Sequence, residues 1–349
     1  MIIIKSNMAG PYHIDNNIPC QDSFAIDNNN GFYIIAVADG LGSELYSDIG
    51  SSVASKTAVE YVSNNISQDM TLNELKKVMN NAFVYAYKAV LTRAAEDGND
   101  SDEYDTTLCL AIYDGEHLYY GQSGDSGMVA LLESGEYIRV TTQQRDEEGY
   151  VFPLCYGPDK WEFGEVESPV SAVMLMTDGV FEQICPPLLR NGEVDVNVSL
   201  AKRFLDKFEF TEVDESELEK TLYDYLEHYP RYLLDDDKTM IILVNPSRKP
   251  AQKAAEYYAI PNWEALSNEA KARIAESTDN NDDTADCESE APDVLAEEKS
   301  DDSAEGHSET EEKLNSTESS DIESITTVSD VEATKKERGE KKTDLWAPF

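Results

Sequence analysis

The sequence predicts an α+β fold in which two stacked antiparallel β-sheets are flanked by helix pairs, an α-β-β-α sandwich, with a disordered acidic C-terminal tail. Apolar runs of strand length recur before residue 246 and are separated by Gly, Asp and Asn turns. Blocks of helical periodicity lie between these runs. Strands that are interrupted by long helical segments favour sheets covered by helices.

The predicted strands are short apolar segments bounded by turn residues. They span residues 32–38, 107–113, 117–121, 128–132, 137–141, 172–176 and 240–244. Asp114-Gly115 lies between the second and third segments, and it is predicted to form a hairpin turn.

Two pairs of helices are predicted from apolar residues at helical spacing. The first pair spans residues 50–65 and 72–95, and the second spans 199–208 and 215–229. Apolar side chains share one face of the segment 72–95. They are Leu72, Leu75, Met79, Phe83, Ala86 and Val90. The turn dipeptide Asp97-Gly98 is predicted to end this helix.

The apolar runs of strand length end near residue 246. Residues 1–245 are predicted to form one domain, and residues 246–278 a short helical extension. Within the extension, helices are predicted over 251–258 and 263–277, the latter capped by Asn262.

The last segment, residues 279–349, is rich in Asp, Glu, Ser and Thr. Such a composition cannot bury enough apolar surface to offset chain entropy, so this tail is predicted to be disordered. A basic cluster at 335–342 and an apolar end at 345–349 suggest a motif that docks on a partner protein. An unselected chain end is the alternative.

The chain carries a formal net charge of −42 and has a pI near 4.2. This balance argues against nucleic acid and anionic membranes as partners, because phosphate groups are held by Lys and Arg. No run reaches the length of a membrane span, and the N-terminus lacks the apolar core of a signal peptide. The five cysteines show no C-x-x-C spacing, which suits a reducing cytoplasm.

Four aspartates lie where a predicted strand meets a loop: Asp39, Asp125, Asp178 and Asp236. Carboxylates at the ends of buried strands converge when sheets stack, and they repel one another unless hard cations neutralise them. The sequence therefore predicts a site for Mg²⁺ or Mn²⁺. Asp-Gly is also a common turn dipeptide, so each aspartate by itself is weak evidence.

Short motifs around these aspartates follow one another in a characteristic order. They are Gln21-Asp22-Ser23, Asp39-Gly40-Leu41-Gly42, Asp105-Thr106-Thr107-Leu108, Gly124-Asp125-Ser126, Thr177-Asp178-Gly179 and Asp236-Asp237-Lys238-Thr239. With this order and this layout of strands and helices, residues 1–245 resemble the type 2C metal-dependent Ser/Thr protein phosphatases. The resemblance is to bacterial members in particular, in which Gln-Asp replaces a Glu-Asp pair.

The resemblance implies a two-metal mechanism, in which two Mg²⁺ or Mn²⁺ ions generate a bridging hydroxide that attacks phosphorus in line. By resemblance, Asp39 bridges both ions and Gly40 offers one of them its backbone carbonyl. Asp178 and Asp236 complete the coordination of the other ion, and Asp125 and Asp178 together hold a third ion that binds more weakly. Asp22 accepts hydrogen bonds from metal-bound water, so Asp22 and Asp39 are the expected catalytic residues.

The chain departs from the family pattern at two positions. Asn17 stands where family members usually carry an arginine that grips the substrate phosphate. His13 and Lys5 are the nearest cationic candidates, and His13 is the predicted phosphate-binding residue, with an ordinary structural role as the alternative. Gln21 replaces the usual glutamate, which removes one negative charge near the second metal.

Two acidic runs require a choice of residues. Of the consecutive Asp235, Asp236 and Asp237, only one or two can point into the site, and the family spacing selects Asp236. The charged run 146–148 is predicted to be a solvated loop near the substrate flap.

These observations predict a cytoplasmic phosphatase that hydrolyses phosphoserine and phosphothreonine in proteins and opposes a Ser/Thr kinase in a bacterium. A catalytically silent relative that binds phosphoproteins or scaffolds a kinase is the alternative from a different functional class. A phosphatase of small molecules would share the same chemistry.

Overall fold

Two five-stranded antiparallel sheets form the centre of the fold. The computed structural model describes residues 1–190, 194–205 and 214–282. In spatial order, the first sheet contains β1 (Ile2–Met8), β10 (Lys238–Val244), β9 (Val170–Met176), β6 (Gly127–Leu132) and β7 (Tyr137–Arg139). The second sheet contains β2 (Asp22–Asn29), β3 (Phe32–Asp39), β4 (Leu108–Tyr113), β5 (Leu118–Ser123) and β8 (Glu162–Val166).

Helices cover the outer faces of both sheets. In chain order, the helices of the described residues are α1 (Pro11–Asn16), α2 (Ser47–Asn65), α3 (Leu72–Asp97), α4 (Asp178–Ile184), α5 (Val198–Leu205), α6 (Glu215–Glu227) and α7 (Trp263–Asp282). Buried side chains of α2 and α3 pack on the second sheet, and those of α4, α5 and α6 pack on the first. The predicted α-β-β-α sandwich is therefore confirmed.

Local sequence signals define both ends of α3. Thr71 caps its start, since its hydroxyl accepts from Glu74 N and the Glu74 carboxylate accepts from Thr71 N at 2.8 Å. Gly98 ends the helix with φ 77°, a left-handed conformation that favours glycine. The predicted stop at Asp97-Gly98 and the predicted hairpin at Asp114-Gly115 are both present.

The predicted central strands are confirmed, but β1, β2 and β8 were not predicted. Each of these three strands lies at the edge of its sheet. Edge strands are half-exposed and carry polar residues, so they lack the continuous apolar run that marks a strand buried on both faces. The edge strand β7 is also shorter than the predicted 137–141.

The chain after β10 returns to the first sheet. Ala251 N donates to Glu133 O at 2.8 Å, and Tyr137 N donates to the Tyr257 hydroxyl at 2.8 Å. Tyr257 and Tyr258 pack against the core beneath this sheet. In place of the helix predicted over 251–258, this segment contains only a short 3₁₀ turn, Ala255–Tyr258.

Helix α7 begins at the predicted position, where the Asn262 side chain accepts from Ala265 N at 3.1 Å. Its backbone continues to Asp282, beyond the predicted boundary at residue 278. The rest of the predicted tail, with its basic cluster and its docking motif, lies outside the described residues. Each described helix is too short or too polar to span a bilayer.

Candidate metal centre

The alternation of side chains along the central strands determines where the site lies. In β3, Ile34 and Ala36 face the helices, whereas Ile35 and Val37 face the space between the sheets. Asp39 continues the second series, so its carboxylate lies at the end of that inter-sheet space. Because one face of β3 packs against helices and the other against the opposite sheet, the strand is apolar on both faces up to its last residue.

The same alternation brings polar side chains from both sheets to this end of the inter-sheet space. They are Asp22, Asp39, Thr107, Ser126, Thr177 and Thr239. Hydrogen bonds connect the sheets there: the Thr177 hydroxyl donates to Asp22 Oδ2 at 2.7 Å, Asn7 Nδ2 donates to Asp22 O at 3.1 Å, and the hydroxyls of Thr107 and Ser126 are 3.1 Å apart. The apolar core between the sheets therefore ends in a polar layer.

Three carboxylates converge beyond this polar layer. Oxygen atoms of Asp39, Asp125 and Asp178 all lie within 4.8 Å of one another. With Asp236, these residues line a cavity of about 160 Å³. The cavity lining also includes Gly40 and His13, so it brings together every predicted site residue except Asp22.

Asp22 lies directly behind the cavity. It is the cross-strand partner of Asp39 in the β2–β3 pair, and its side chain is buried. A buried carboxylate beside Asp39 is an acceptor of hydrogen bonds, one of which comes from the Thr177 hydroxyl.

Backbone hydrogen bonds fix the position of Asp39. Its N–H donates to the Thr107 hydroxyl at 3.0 Å, and its carbonyl accepts from Thr107 N at 2.8 Å and from the Thr106 hydroxyl at 2.9 Å. Gly40 N in turn donates to Gln21 O at 3.0 Å. The first carboxylate of the cluster is thus held on a rigid strand end.

Gly40 is required for the packing of α2 against the strand end. In the structure, a Cβ on Gly40 would lie 2.5 Å from the Ser47 carbonyl oxygen at the start of α2. A side chain at residue 40 would therefore push α2 away from the strand end.

The three consecutive aspartates have three different environments. Asp235 is exposed and forms an ion pair with Arg231 at 2.9 Å. Asp236 lines the cavity, as predicted from the family spacing. Asp237 is buried, and its carboxylate accepts from Gly10 N at 2.7 Å and from Gln21 N at 2.6 Å.

His13 lies at the cavity, whereas the other cationic candidate does not. The buried His13 ring bonds Asp237 Oδ1 through Nδ1 at 2.7 Å, and the residue is part of the cavity lining. Lys5 instead pairs with Glu219 at 2.7 Å. Asn17, at the position of the missing arginine, ends α1 in a left-handed conformation with φ 56°.

Burial and mutual repulsion make the carboxylates difficult to ionise. Burial raises the pKa of Asp39, and the neighbouring Asp22 and Asp178 raise it further. Burial, with Asp125 and Asp236, raises the pKa of Asp178 to about 7. Because these pKa values are raised, the cluster needs nearby positive charge to keep its carboxylates ionised at neutral pH.

Arg145 supplies one such charge, and the sequence analysis missed it. Its Nε donates to Asp125 Oδ2 at 2.9 Å, and its Nη2 lies 3.1 Å from Asp178 Oδ2 and 3.3 Å from Glu182 Oε1. Burial raises the pKa of Asp125, and Arg145 opposes that rise. The available signal was that Arg145 is the only basic residue between Arg139 and Lys160.

Arg145 belongs to a loop of residues 142–160, here called the flap. Gln144 N donates to Gly124 O at 3.1 Å, and Gly124 N donates to the Gln144 side chain at 2.9 Å. Leu154 N donates to Thr106 O at 2.8 Å. The flap is therefore attached to strand ends on either side of the carboxylates, while its residues 147–148 are exposed, as predicted.

The donor set of the cavity fits a hard divalent cation. Every candidate ligand is an oxygen, which Mg²⁺ and Mn²⁺ prefer. In addition, Gln21 Oε1 is buried in the cavity lining and has no hydrogen-bond partner among the described residues. An unpaired buried acceptor beside convergent carboxylates fits a water molecule held by such an ion.

The structure is similar to several solved phosphatase structures at low identity. A bacterial serine phosphatase matches 72% of this chain and 100% of its own, with 13% identity and a TM-score of 0.48. Serine/threonine phosphatase Stp1 from Staphylococcus aureus matches 70% of this chain and 95% of its own, with 14% identity and a TM-score of 0.46. The catalytic domain of the phosphatase PstP, in complex with two manganese ions, matches 69% of this chain and 96% of its own, with 16% identity and a TM-score of 0.46.

Comparison with curated protein sequences gives no match. The family model described as Protein phosphatase 2C, however, matches residues 9–227, which is more than half of the chain. This match contains the strand ends that carry the cavity carboxylates up to Asp178, and it confirms the resemblance seen in the motifs. The chain belongs to the protein phosphatase 2C family.

Proposed function

We propose that this protein is a metal-dependent phosphatase that hydrolyses phosphoserine and phosphothreonine in proteins. The observation that carries the proposal is the convergence of Asp39, Asp125 and Asp178 in one cavity, with oxygen atoms within 4.8 Å of one another. Carboxylates this close together in a partly buried site repel unless cations bind between them. Membership of the family supports the reaction class.

Two Mg²⁺ or Mn²⁺ ions are the proposed cofactors, held by Asp39, Asp178, Asp236 and the Gly40 carbonyl. Bound there, such ions activate water and withdraw negative charge from phosphoryl oxygens. The chain's own residues position the reactants around them. Asp39 is fixed by the strand end, and Asp22 offers a buried acceptor behind it.

His13 is the proposed contact for the substrate phosphate in place of the missing arginine. The bond between Asp237 and Nδ1 fixes the ring, and the ring lines the same cavity as the carboxylates. An imidazole N–H in this position can donate to a phosphoryl oxygen. We also propose that the protein is a cytoplasmic enzyme and that a Ser/Thr kinase produces its phosphoprotein substrates.

The test is Mn²⁺-dependent hydrolysis of p-nitrophenyl phosphate and of a phosphothreonine peptide by the purified full-length chain. We expect turnover that EDTA abolishes and that Asp39→Asn lowers by at least about 100-fold, because one acidic ligand is lost from the centre of the cluster. Asp235→Asn is the matched control, since it removes the same charge from an exposed residue outside the cavity.

Each other outcome has a definite meaning. Full activity in Asp39→Asn would contradict the assignment of the site. Tight Mn²⁺ binding without turnover would instead support the silent phosphoprotein-binding alternative. Turnover of p-nitrophenyl phosphate without turnover of any phosphopeptide would point to small-molecule substrates.

A further inference from the structure

Arg145 places a fixed positive charge on the two carboxylates expected to hold a third ion. Its Nε and Nη2 both reach the same oxygen, Asp125 Oδ2, at 2.9 Å and 2.6 Å. Nη2 also lies 3.1 Å from Asp178 Oδ2. The Asp125 side chain is only 2% exposed and that of Arg145 is 35% exposed, so this charge-assisted pair is shielded from water on its carboxylate side.

The guanidinium and a third divalent ion would compete for the same oxygens. An Mg²⁺ ion lies about 2.1 Å from a carboxylate oxygen and requires near-octahedral geometry. An ion on Asp125 would therefore be in contact range of Arg145, whose charge cannot be removed by deprotonation in a protein. Close like charges at a shielded site repel strongly.

The carboxylates that line the cavity are sufficient in number to balance two divalent ions. Four carboxylates line it, those of Asp39, Asp125, Asp178 and Asp236, and two divalent ions would balance them. The charge of Arg145 is matched by Glu182, which lies 3.3 Å away. A third ion would place two further positive charges beside a guanidinium that already pairs with Asp125 and Asp178.

Arg145 is held in this position by the backbone around it. It pairs with Val151 in an antiparallel bridge, and Val151 itself lines the cavity. The preceding residue, Gln144, exchanges hydrogen bonds with Gly124, which directly precedes Asp125. Backbone contacts therefore fix both partners of the ion pair: the bridge to Val151 positions Arg145, and the bonds between Gln144 and Gly124 hold the two chain segments together.

We propose that Arg145 takes the place of a third divalent ion, so that this protein binds two ions in the cavity rather than three. The inference rests on the proposed metal-dependent function, and it changes the role of Asp125 from a ligand of a third ion to the anchor of Arg145. Through that anchor, the same ion pair attaches the flap to the site.

The test counts bound Mn²⁺ by isothermal titration calorimetry on the full-length chain. We expect two ions in the unmodified protein and a third in Arg145→Gln, because Asp125 and Asp178 are then free of a competing cation. Arg145→Lys retains the charge and should bind two. Arg248→Gln is the matched control, since Arg248 bridges Glu116 and Glu133 near the β4–β5 hairpin, at the opposite end of the strands.

Three ions in the unmodified protein, or two ions in Arg145→Gln, would overturn the inference and leave the proposed function standing. A third ion in Arg145→Lys or Arg248→Gln would also overturn it, because the effect would then not depend on the charge at residue 145. Failure of the unmodified protein to bind any Mn²⁺ would overturn both the proposed function and the inference.

Discussion

At the scale of single residues, the position of a carboxylate within a strand end decides its role. Asp235, Asp236 and Asp237 are identical in chemistry and consecutive in sequence, yet Asp235 pairs with Arg231, Asp236 lines the cavity and Asp237 is buried among donors. The buried Asp237 connects the start of α1 and the residue before β2 to the segment before β10, since it bonds Gly10, His13 and Gln21.

Replacing each of these aspartates by asparagine should separate catalysis from stability. We expect Asp236→Asn to lose Mn²⁺-dependent turnover while its free energy of unfolding changes little. Asp237→Asn should lower the free energy of unfolding by about 2–4 kcal/mol, because an amide N–H₂ would then face buried backbone donors. Urea unfolding and p-nitrophenyl phosphate hydrolysis measure the two effects.

Asp235→Asn serves as the control in that series and should leave both quantities nearly unchanged, since its ion pair with Arg231 is solvent-exposed. If Asp237→Asn were as stable as the unmodified protein, the hydrogen bonds of Asp237 would not be a source of stability.

A second residue-scale prediction concerns Asp105, which lies next to the cavity strand ends. Burial raises the pKa of this half-buried carboxyl from its ordinary value near 3.8 to about 6. Between these two values the folded protein keeps a proton that the unfolded chain has lost. The stability contribution of Asp105 is therefore complete below about pH 3.8 and is lost as the pH rises through 6.

Asp105→Asn should remove this pH dependence. A shift of this size would correspond to about 3 kcal/mol for a fully buried group, and solvent screening reduces it to about 1–2 kcal/mol here. The measurement is the difference in free energy of unfolding between unmodified protein and Asp105→Asn at pH 4.5 and pH 7. A difference that does not change with pH would show that Asp105 ionises normally in the folded protein.

At the scale of secondary-structure elements, burial on both faces determined what could be predicted. Central strands such as β3 and β9 are apolar throughout, so they were found together with the aspartates that end them. The edge strands β1, β2 and β8 contain polar residues that face solvent, and no periodic signal separated them from loops.

The candidate site was predictable to the same extent and for a related reason. Asp39 and Asp178 directly follow apolar strands, so their positions in sequence imply their positions in space. Arg145 lies in the flap, which has no periodicity, and its approach to Asp125 depends on tertiary hydrogen bonds such as those between Gln144 and Gly124. No structural role was predicted for Asp237, because sequence spacing alone does not distinguish a metal ligand from a carboxylate that accepts structural hydrogen bonds.

At the scale of the whole molecule, the extension after β10 contributes to the fold that carries the site. Arg248 bridges Glu116 of the β4–β5 turn and Glu133 of the β6–β7 turn. The Ala251 carbonyl lies 2.0 Å from where a Cβ on Gly135 would be, so the two backbones are in direct contact. Residues 248–251 therefore contact turns of both sheets.

Truncation should show which part of the extension stabilises the protein. A chain that ends after Asn245 loses Arg248 and the packing of Tyr257 and Tyr258 on the core of the first sheet. We expect its free energy of unfolding to fall by about 2–4 kcal/mol, the scale of burying two aromatic side chains in part. A chain that ends after Asn262 keeps all of these contacts and should match the full-length protein within about 1 kcal/mol.

Urea unfolding of the three chains, monitored by circular dichroism, measures these differences. Equal stability of the two truncated chains would show that the extension only lies on the sheet without stabilising it. The result also determines how a role of the tail in partner binding should be tested. If truncation at residue 245 abolished binding of a partner, the destabilised domain and the missing tail would explain the loss equally well. Truncation at residue 262 removes α7 and the tail but keeps the contacts of Arg248, Tyr257 and Tyr258.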